Sequence, residues 1–361
     1  MRIAVLGVGL IGGSIGLAAR GRLGAEVVGF DPDRETIDRA VGAGAIDRGA
    51  DSIASACEDA EVVFCAAPVG GLTELAAAAL EAAGPEAVVT DVGSTKRDIV
   101  AALGSDQRFI GGHPLAGAET SGVENAREDL FEGARWYLTP KAERSSGLLY
   151  DRLQRTVAGL GARVQAIDAE AHDRLMATVS HVPHVVANVL VGQAAAELTR
   201  DSERMPEVGP SFRDTTRVAG ANPAIWGDIF ASNREAVAEA TEAVAAKLRE
   251  AAALIRDGGR ETVAEWHASA AADRRRLLES ELAGGPLREL RVVVANRPGT
   301  IAELALALGE AGVNIEDMAL HPTPDMTSGA VSLWVVGEEQ AERAGELVRE
   351  LGHTVSVVED D

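Results

Sequence analysis

Ile3-Ala4-Val5-Leu6-Gly7-Val8-Gly9-Leu10-Ile11-Gly12 decides how the rest of this chain is read. Four apolar residues run straight into a G-x-G-x-x-G pattern, a helical stretch follows, and Asp31 closes the next apolar run. The glycines permit a tight turn and close backbone approach to a pyrophosphate, and the helix start supplies unpaired N–H groups with a positive dipole end. Among 39 glycines the pattern alone is weak; its place between strand and helix gives it weight. Asp31 suits the ribose hydroxyls and repels a 2′-phosphate, which favours NAD over NADP, although Arg34 nearby is of the type that would accept that phosphate. The expected cofactor contacts are Gly7, Gly9, Leu10, Ile11, Gly12 and Asp31, joined by Ala66, Pro68 and Ser94 from loops after later apolar runs. A strand–turn–helix that binds nothing is the alternative.

Outward from this loop, short apolar runs alternate with helical stretches as far as about residue 168. The runs are Ile3–Leu6, Val27–Phe30, Val62–Ala66, Val88–Asp91, Phe109–Gly111, Tyr137–Thr139 and Val164–Ile167. Near-continuous apolar strands separated by helices predict an α/β, Rossmann-type doubly wound parallel sheet covered on both faces. From Ala169 the strand signal gives way to helices expected over Ala169–Thr199, Pro223–Asp257 (with a break near Ser232-Asn233) and Glu261–Leu282. Ala283-Gly284-Gly285-Pro286 reads as a linker. Beyond it, strands at Leu290–Ala295, Val313–Leu320, Ala330–Val336 and Val355–Val358, with helices at Thr300–Ala311 and Glu338–Leu351, follow the βαββαβ order of a ferredoxin-like α+β unit. The expected domains are 1–168, 169–283 and 287–361.

Composition excludes several classes. The 361 residues suit two or three domains. With 34 Lys+Arg against 56 Asp+Glu the net charge is −22, a field that repels phosphate backbones and argues against nucleic-acid binding. Two cysteines, Cys57 and Cys65, cannot make a disulfide scaffold or an all-cysteine metal site, and they fit a reducing cytoplasm. The N-terminus shows no leader pattern, and no uninterrupted apolar run approaches the ~18 residues of a membrane span; a soluble protein is expected.

Candidate chemistry clusters after the strands of the first region. Asp91-Val92-Gly93-Ser94-Thr95-Lys96 and Gly111-Gly112-His113-Pro114-Leu115-Ala116-Gly117 each follow an apolar run, where doubly wound sheets place ligands. A histidine suits taking a proton from a hydroxyl whose carbon is being oxidised. His113 is therefore a candidate base, or else a turn histidine held by backbone; Ser94 is a candidate partner, or else a helix N-cap. In Ser180-His181-Val182-Pro183-His184, Ser180 and His184 share a helix face and Pro183 should kink or shift the helix. No third ligand accompanies the two histidines, so no metal is expected. Arg217, in Phe212-Arg213-Asp214-Thr215-Thr216-Arg217, could grip a carboxylate in two-point fashion with Asp214 behind it, or the two could form an ordinary i,i+3 pair. Trp226 reads as pocket wall or core, and Trp266-His267 as structural.

Taken together, Asp91–Lys96, Gly112–Gly117, Ser180–His184 and Asp214–Arg217 behind a dinucleotide loop resemble the bacterial prephenate dehydrogenase family, in the form that carries a C-terminal ACT domain. The resemblance covers essentially the whole chain, with an NAD-binding domain, an all-helical domain 169–283 that substrate binding and dimerisation share, and an ACT domain over 287–361. It implies NAD-dependent oxidative decarboxylation of prephenate to 4-hydroxyphenylpyruvate in tyrosine biosynthesis, in a cytoplasmic homodimer. His113 is then similar to the family's proton-accepting histidine and Ser94 to its partner, while Arg217 resembles the arginine that holds the ring carboxylate. Glu119, Ser180, His181, His184, Asp214 and Trp226 match positions lining, gating or supporting the substrate pocket. Asn296, Arg297, Gly299, Asn314 and Ile315 look like the ACT effector signature, with tyrosine as the expected effector or, alternatively, a purely structural dimerisation role. Competing readings are an arogenate dehydrogenase, a β-hydroxyacid dehydrogenase and a non-catalytic NAD and amino-acid sensor. The second would need a lysine that the helical region offers only at Lys247, in the wrong setting. Against the third stands the joint presence of His113, Ser94 and Arg217.

Overall fold

A computed structural model describes residues 1–117, 120–141, 147–198, 208–279, 287–295, 297–322 and 328–357. Glu119, Asn296 and the Ala283–Pro286 linker lie outside the described residues. By its contacts the chain divides into two compact units, Met1–Lys247 and Leu248–Asp361.

The first unit opens with β1 (Arg2–Leu6), α1 (Leu10–Leu23), β2 (Glu26–Phe30), α2 (Arg34–Gly42), β3 (Arg48–Gly49), α3 (Ile53–Cys57), β4 (Val62–Cys65), α4 (Val69–Ala82) and β5 (Val88–Asp91). These strands form one parallel sheet in the order β3-β2-β1-β4-β5. Along β1 the side chains alternate between two cores: Ile3 and Val5 join Ile15, Phe64 and Trp136, while Ala4 and Leu6 join Ala56, Leu72 and Ala76. A strand buried on both faces has no polar side to show, hence the unbroken apolar runs. The order reverses between β1 and β4. Their outgoing loops, at Gly7–Gly9 and Ala66–Pro68, therefore part there and leave the crevice in which such sheets bind ligands.

The remaining strands depart from the single parallel sheet expected. After α5 (Arg97–Leu103) come β6 (Gly111–Pro114), β7 (Arg135–Thr139), α6 (Gly147–Gly159) and β8 (Arg163–Ala166), and β6-β7-β8 is a separate sheet. Phe109 makes a parallel bridge to Val89, but β7 runs antiparallel to β6. A parallel return needs a crossover, usually a helix; the described part of this connection has only a short 3₁₀ turn at Val123–Asn125. β3, two residues long, carried no pattern legible in the sequence.

The helices continue with α7 (Ala169–Met176), a π-helical turn over Ala177–His181, α8 (Val182–Leu198), α9 (Pro210–Thr216), α10 (Pro223–Ser232) and α11 (Arg234–Asp257). The helix expected over Ala169–Thr199 is thus reset in the middle. Val182 N–H bonds Ala177 O, five residues back, immediately before Pro183, which has no N–H to give. Ala169–Glu197 has the length and apolarity of a membrane span, but its Asp173 is tied by hydrogen bonds to Lys96 and Arg97. The break expected near Ser232-Asn233 falls at Asn233.

In the second unit α12 (Arg260–Glu279) precedes β9 (Leu287–Ala295), α13 (Thr300–Glu310), β10 (Asp317–Pro322), β11 (Ser328–Val336), α14 (Glu338–Glu350) and β12 (Thr354–Val357). The antiparallel sheet runs β10-β11-β9-β12, with Leu290, Val292 and Val294 of β9 packed on Leu304, Leu308 and Val348 of the helices. This is the ferredoxin-like arrangement the βαββαβ order predicts.

Candidate active site

The glycine loop has the shape a dinucleotide needs. Gly7 has φ +94°, and a Cβ there would strike the carbonyl of Ala66, so this position accepts glycine alone. At Gly9 an added Cβ would have nothing within 4 Å; the space in front of it is open. Gly9 also stands at the N-cap of α1 with no side chain satisfying the first N–H groups. The donors and the room for a pyrophosphate are both present. Asp31 accepts from Val8 N (3.0 Å) and from Asp33 N (3.0 Å), so it fixes the loop and still offers each oxygen's second lone pair to a ribose. Arg34, expected as a rival signal for NADP, pairs with Asp51. Leu10 and Ile11 open α1, and Pro68 stands at the N-cap of α4.

Behind this crevice the loop after β5 is anchored on all sides. Lys96 is wholly buried and paired with Asp91. Asp91 also accepts from Gly93 N (2.8 Å) and Gly112 N (3.1 Å), which ties β5 to the start of β6. Thr95 and Ser232 hydroxyls meet at 2.8 Å, and Arg97 reaches Glu235 at 2.7 Å. Ser94 sits half-buried between these anchors; its hydroxyl has no hydrogen-bond partner among the described residues.

His113 lies within β6 and is 8% exposed. Its Nδ1 is 2.9 Å from Nε2 of His172, whose Nδ1 is 2.8 Å from Oδ1 of Asp173. The two imidazoles meet edge to face, and the Tyr137 ring packs edge-on to His172. Burial holds His113 well below its ordinary value, with the neighbouring charges of His172, Lys96 and His181 pushing the same way. Sequence reasoning passed over His172 and Asp173 because Asp168–Arg174 reads as a charged helix start. A faint signal was present, since His172 and Met176 lie four apart on one buried face.

From His113 the cluster continues to the predicted helical residues. His181, on the π turn, is 1% exposed and its Nδ1 accepts from Nδ2 of Asn233 at 3.2 Å; the same amide donates to the Asp173 carbonyl at 2.8 Å. Trp226 meets His181 edge-on at 5.9 Å and lies flat on His184, ring centres 3.5 Å apart. His184 titrates below its ordinary value, chiefly from burial and then from the Arg217 guanidinium. His184, Arg217 and Trp226 line a cavity of about 490 Å³ with Thr120, Ser121 and Asn222, the last three not foreseen from sequence. Ser180 is half-buried on the π turn and Asp214 is exposed on α9, three residues before Arg217.

A buried imidazole in contact with a polar relay, and a guanidinium across a row of aromatic rings, suit oxidation of a hydroxyl on a small carboxylate. Comparison with known proteins agrees with that chemistry. Residues 15–166 match the prephenate dehydrogenase nucleotide-binding domain, 168–269 the prephenate dehydrogenase dimerization domain, and 288–353 the ACT domain. The chain belongs to the prephenate dehydrogenase family. Prephenate dehydrogenase of Bacillus subtilis is 32% identical over 361 residues, 96% of this chain and 95% of the relative. Among solved structures, prephenate dehydrogenase from A. aeolicus, in complex with hydroxyphenyl propionate and NAD+, is 32% identical with a TM-score of 0.72. That match covers 77% of this chain and 98% of the other. Synechocystis arogenate dehydrogenase is 27% identical with a TM-score of 0.69, over 77% and 100% of the respective chains. Fold and cofactor class therefore stand as the sequence indicated: a Rossmann-type NAD-binding domain, a helical domain and a C-terminal ACT domain.

Proposed function

We propose that this chain catalyses the NAD-dependent oxidative decarboxylation of prephenate to 4-hydroxyphenylpyruvate, with His113 as base and Arg217 as carboxylate anchor. The observation that carries the reading is the chain of contacts from His113 through His172, Asp173, Asn233 and His181 to Trp226 and His184, the last two lining a cavity with Arg217. Gly7, Gly9, Gly12 and Asp31 hold the dinucleotide, and Ala66, Pro68 and Ser94 border it. When bound, NAD accepts the hydrogen that leaves the ring carbon with its electron pair. His113, neutral because it is buried, takes the proton of the ring hydroxyl at the same carbon. The carbonyl that results draws in the electrons released as the opposite carboxylate departs as CO2, the ring becomes aromatic, and His113 returns the proton to the phenolate oxygen. Arg217 orients that end of the substrate from the cavity wall, with Asp214 supporting it from α9. Ser94 stands ready to donate to the hydroxyl oxygen, its own hydroxyl not being spent on the protein. Trp226 and His184 form the flat wall, Ser180 and His181 complete the described surroundings, and Glu119 is assigned to the pocket on the resemblance alone.

We assign the helical domain to a homodimer interface and Arg297, Gly299, Asn314 and Ile315 of the ACT domain, with Asn296, to an amino-acid effector, tyrosine being the end product. Gly299, at φ +93°, caps α13, and Asn314 donates to Glu316. The free thiols of Cys57 and Cys65 suit a cytoplasmic setting. Likeness to an arogenate dehydrogenase keeps arogenate as the second reading. NADH formation followed with prephenate and arogenate in parallel, with and without tyrosine, tests substrate, cofactor and effector together. We expect turnover with prephenate, at least tenfold (about 1.4 kcal/mol) above that with arogenate, and inhibition by tyrosine. In His113→Asn turnover falls by about 10²–10⁴ while NAD affinity holds; near-normal turnover in that variant would remove the assignment of the base.

A further inference from the structure

The side chains behind His113 do more than fill space. Oδ1 of Asp173 accepts Lys96 N–H at 2.8 Å and Oδ2 accepts Arg97 N–H at 2.9 Å. A backbone N–H donates and never accepts, so both oxygens act as acceptors here. Backbone donors on both oxygens are the hydrogen-bond pattern of a carboxylate. An ionised carboxylate has no hydrogen to give, so the 2.8 Å contact to His172 Nδ1 requires the hydrogen on that nitrogen. An imidazole that carries its one hydrogen on Nδ1 presents a lone pair at Nε2. The nitrogen facing it at 2.9 Å, Nδ1 of His113, must be the N–H. His113 is left with its basic lone pair on Nε2, a nitrogen with no hydrogen-bond partner among the described residues.

We propose that His172 and Asp173 are positioning residues that lock His113 in the Nδ1–H tautomer, so that Nε2 is the nitrogen that takes the substrate's proton. This rests on His113 being the base of the proposed reaction. Without the lock, the hydrogen on His113 would distribute between both nitrogens, and only one of the two forms accepts a proton at Nε2. Asp173 serves twice, since the carboxylate whose Oδ1 fixes His172 also holds, through both oxygens, the start of α5 and with it the loop that carries Ser94. The charged groups that act on His113 are His172, Lys96 and His181, with Asp173 beyond His172 and Tyr137 paired with His113 across the sheet.

Nitrogen NMR of the full-length protein with ¹⁵N-labelled histidine reports which ring nitrogen bears hydrogen. Seven histidines give a tractable spectrum, with the His113 signals assigned by their loss in His113→Asn. We expect Nδ1–H at His113 in the wild type and a mixture of tautomers in His172→Ala. The same variant, with the wrong tautomer populated and the His113 ring no longer held in line, should lose about 10²–10⁴ in kcat with KM for prephenate changed less than about threefold. His172→Gln, whose side-chain carbonyl can accept the His113 Nδ1–H, should recover at least about tenfold of that loss. Hydrogen on Nε2 of wild-type His113 would overturn the proposal, as would an unchanged kcat in His172→Ala, equal impairment of the Ala and Gln variants, or a loss that falls on KM. The wild-type spectrum needs no substrate, and its assignment needs only a His113→Asn protein that folds. Absence of prephenate turnover would therefore sink the proposed reaction while the tautomer lock is judged by the spectrum alone.

Discussion

His181 shows most clearly what burial costs a single residue. Its ring is nearly inaccessible, and burial lowers its pKa from 6.5 to about 4, despite partial compensation from Asp173. Between these two values the unfolded chain binds a proton that the folded chain refuses, so stability rises with pH through this window. The stabilisation is complete above about pH 6.5 and is lost as pH falls towards 4, a loss of about 3 kcal/mol from this residue. Burial shifts His113 the same way. We expect the thermal midpoint to be level above neutrality and to fall steadily below about pH 6.5, with a shallower fall in His181→Asn; a midpoint indifferent to pH over this range would contradict the assignment of a neutral, buried His181. Glycine gives a second contrast at this scale. Gly9→Ala places a methyl in open space, so the midpoint should move by less than about 1 kcal/mol of stability while the KM for NAD rises about tenfold or more. Gly7→Ala meets the Ala66 carbonyl and should damage folding itself, which circular dichroism would register. The sequence named Gly7, Gly9, Asp31, His113 and Arg217 because each belongs to a short local pattern. His172, Asp173 and Asn233 escaped it because their roles arise from contacts between elements far apart in sequence, such as Asn233 with His181.

At the scale of elements, legibility follows the same division between local and distant. Helix starts and breaks were readable: Pro223 begins α10, Asn222 caps it through Ala224 N, and the chain breaks at Asn233 as the sequence suggested. Strand direction was not, because β7 reverses through a connection whose length resembles that of a crossover. Pro183 was recognised as a disturbance, but its consequence, a π turn that sets the directions of Ser180 and His181, depends on how the freed carbonyls are shared. In this turn His181 points to Asn233 while His184, from the next helix, lies on Trp226. Pro183→Ala restores an N–H and permits a regular α-helix, which rotates His181 relative to His184. We expect stability to be unchanged or raised by up to about 1 kcal/mol and kcat/KM to fall about tenfold. Melting curves and steady-state kinetics on the one variant separate these effects; full activity with raised stability would mean that the π turn has no part in the site.

For the whole molecule the relevant fact is how much apolar helix remains uncovered in a single chain. Val189 is 66% exposed on α8, with Leu190 and Val191 beside it at 36% and 38%, and Ile225 of α10 is 47% exposed. Large apolar side chains left this exposed on neighbouring helices suit cover by another protein surface. The same helix carries His184 into the cavity, so whatever covers the outer face of α8 also steadies the substrate wall. A second copy is the natural cover, because a twofold interface uses one patch twice. A charge introduced there is then buried twice without a partner, at a cost of several kcal/mol. Val189→Glu should therefore shift light-scattering mass at micromolar concentration from dimer to monomer, a weakening of at least about 100-fold, or about 2.7 kcal/mol. If the dimer also organises the site, KM for prephenate should rise in the monomer while the NAD-binding half, whose glycine loop lies in another domain, keeps its affinity. A Val189→Glu protein that stays dimeric would show that the exposed face of α8 is not where two copies meet.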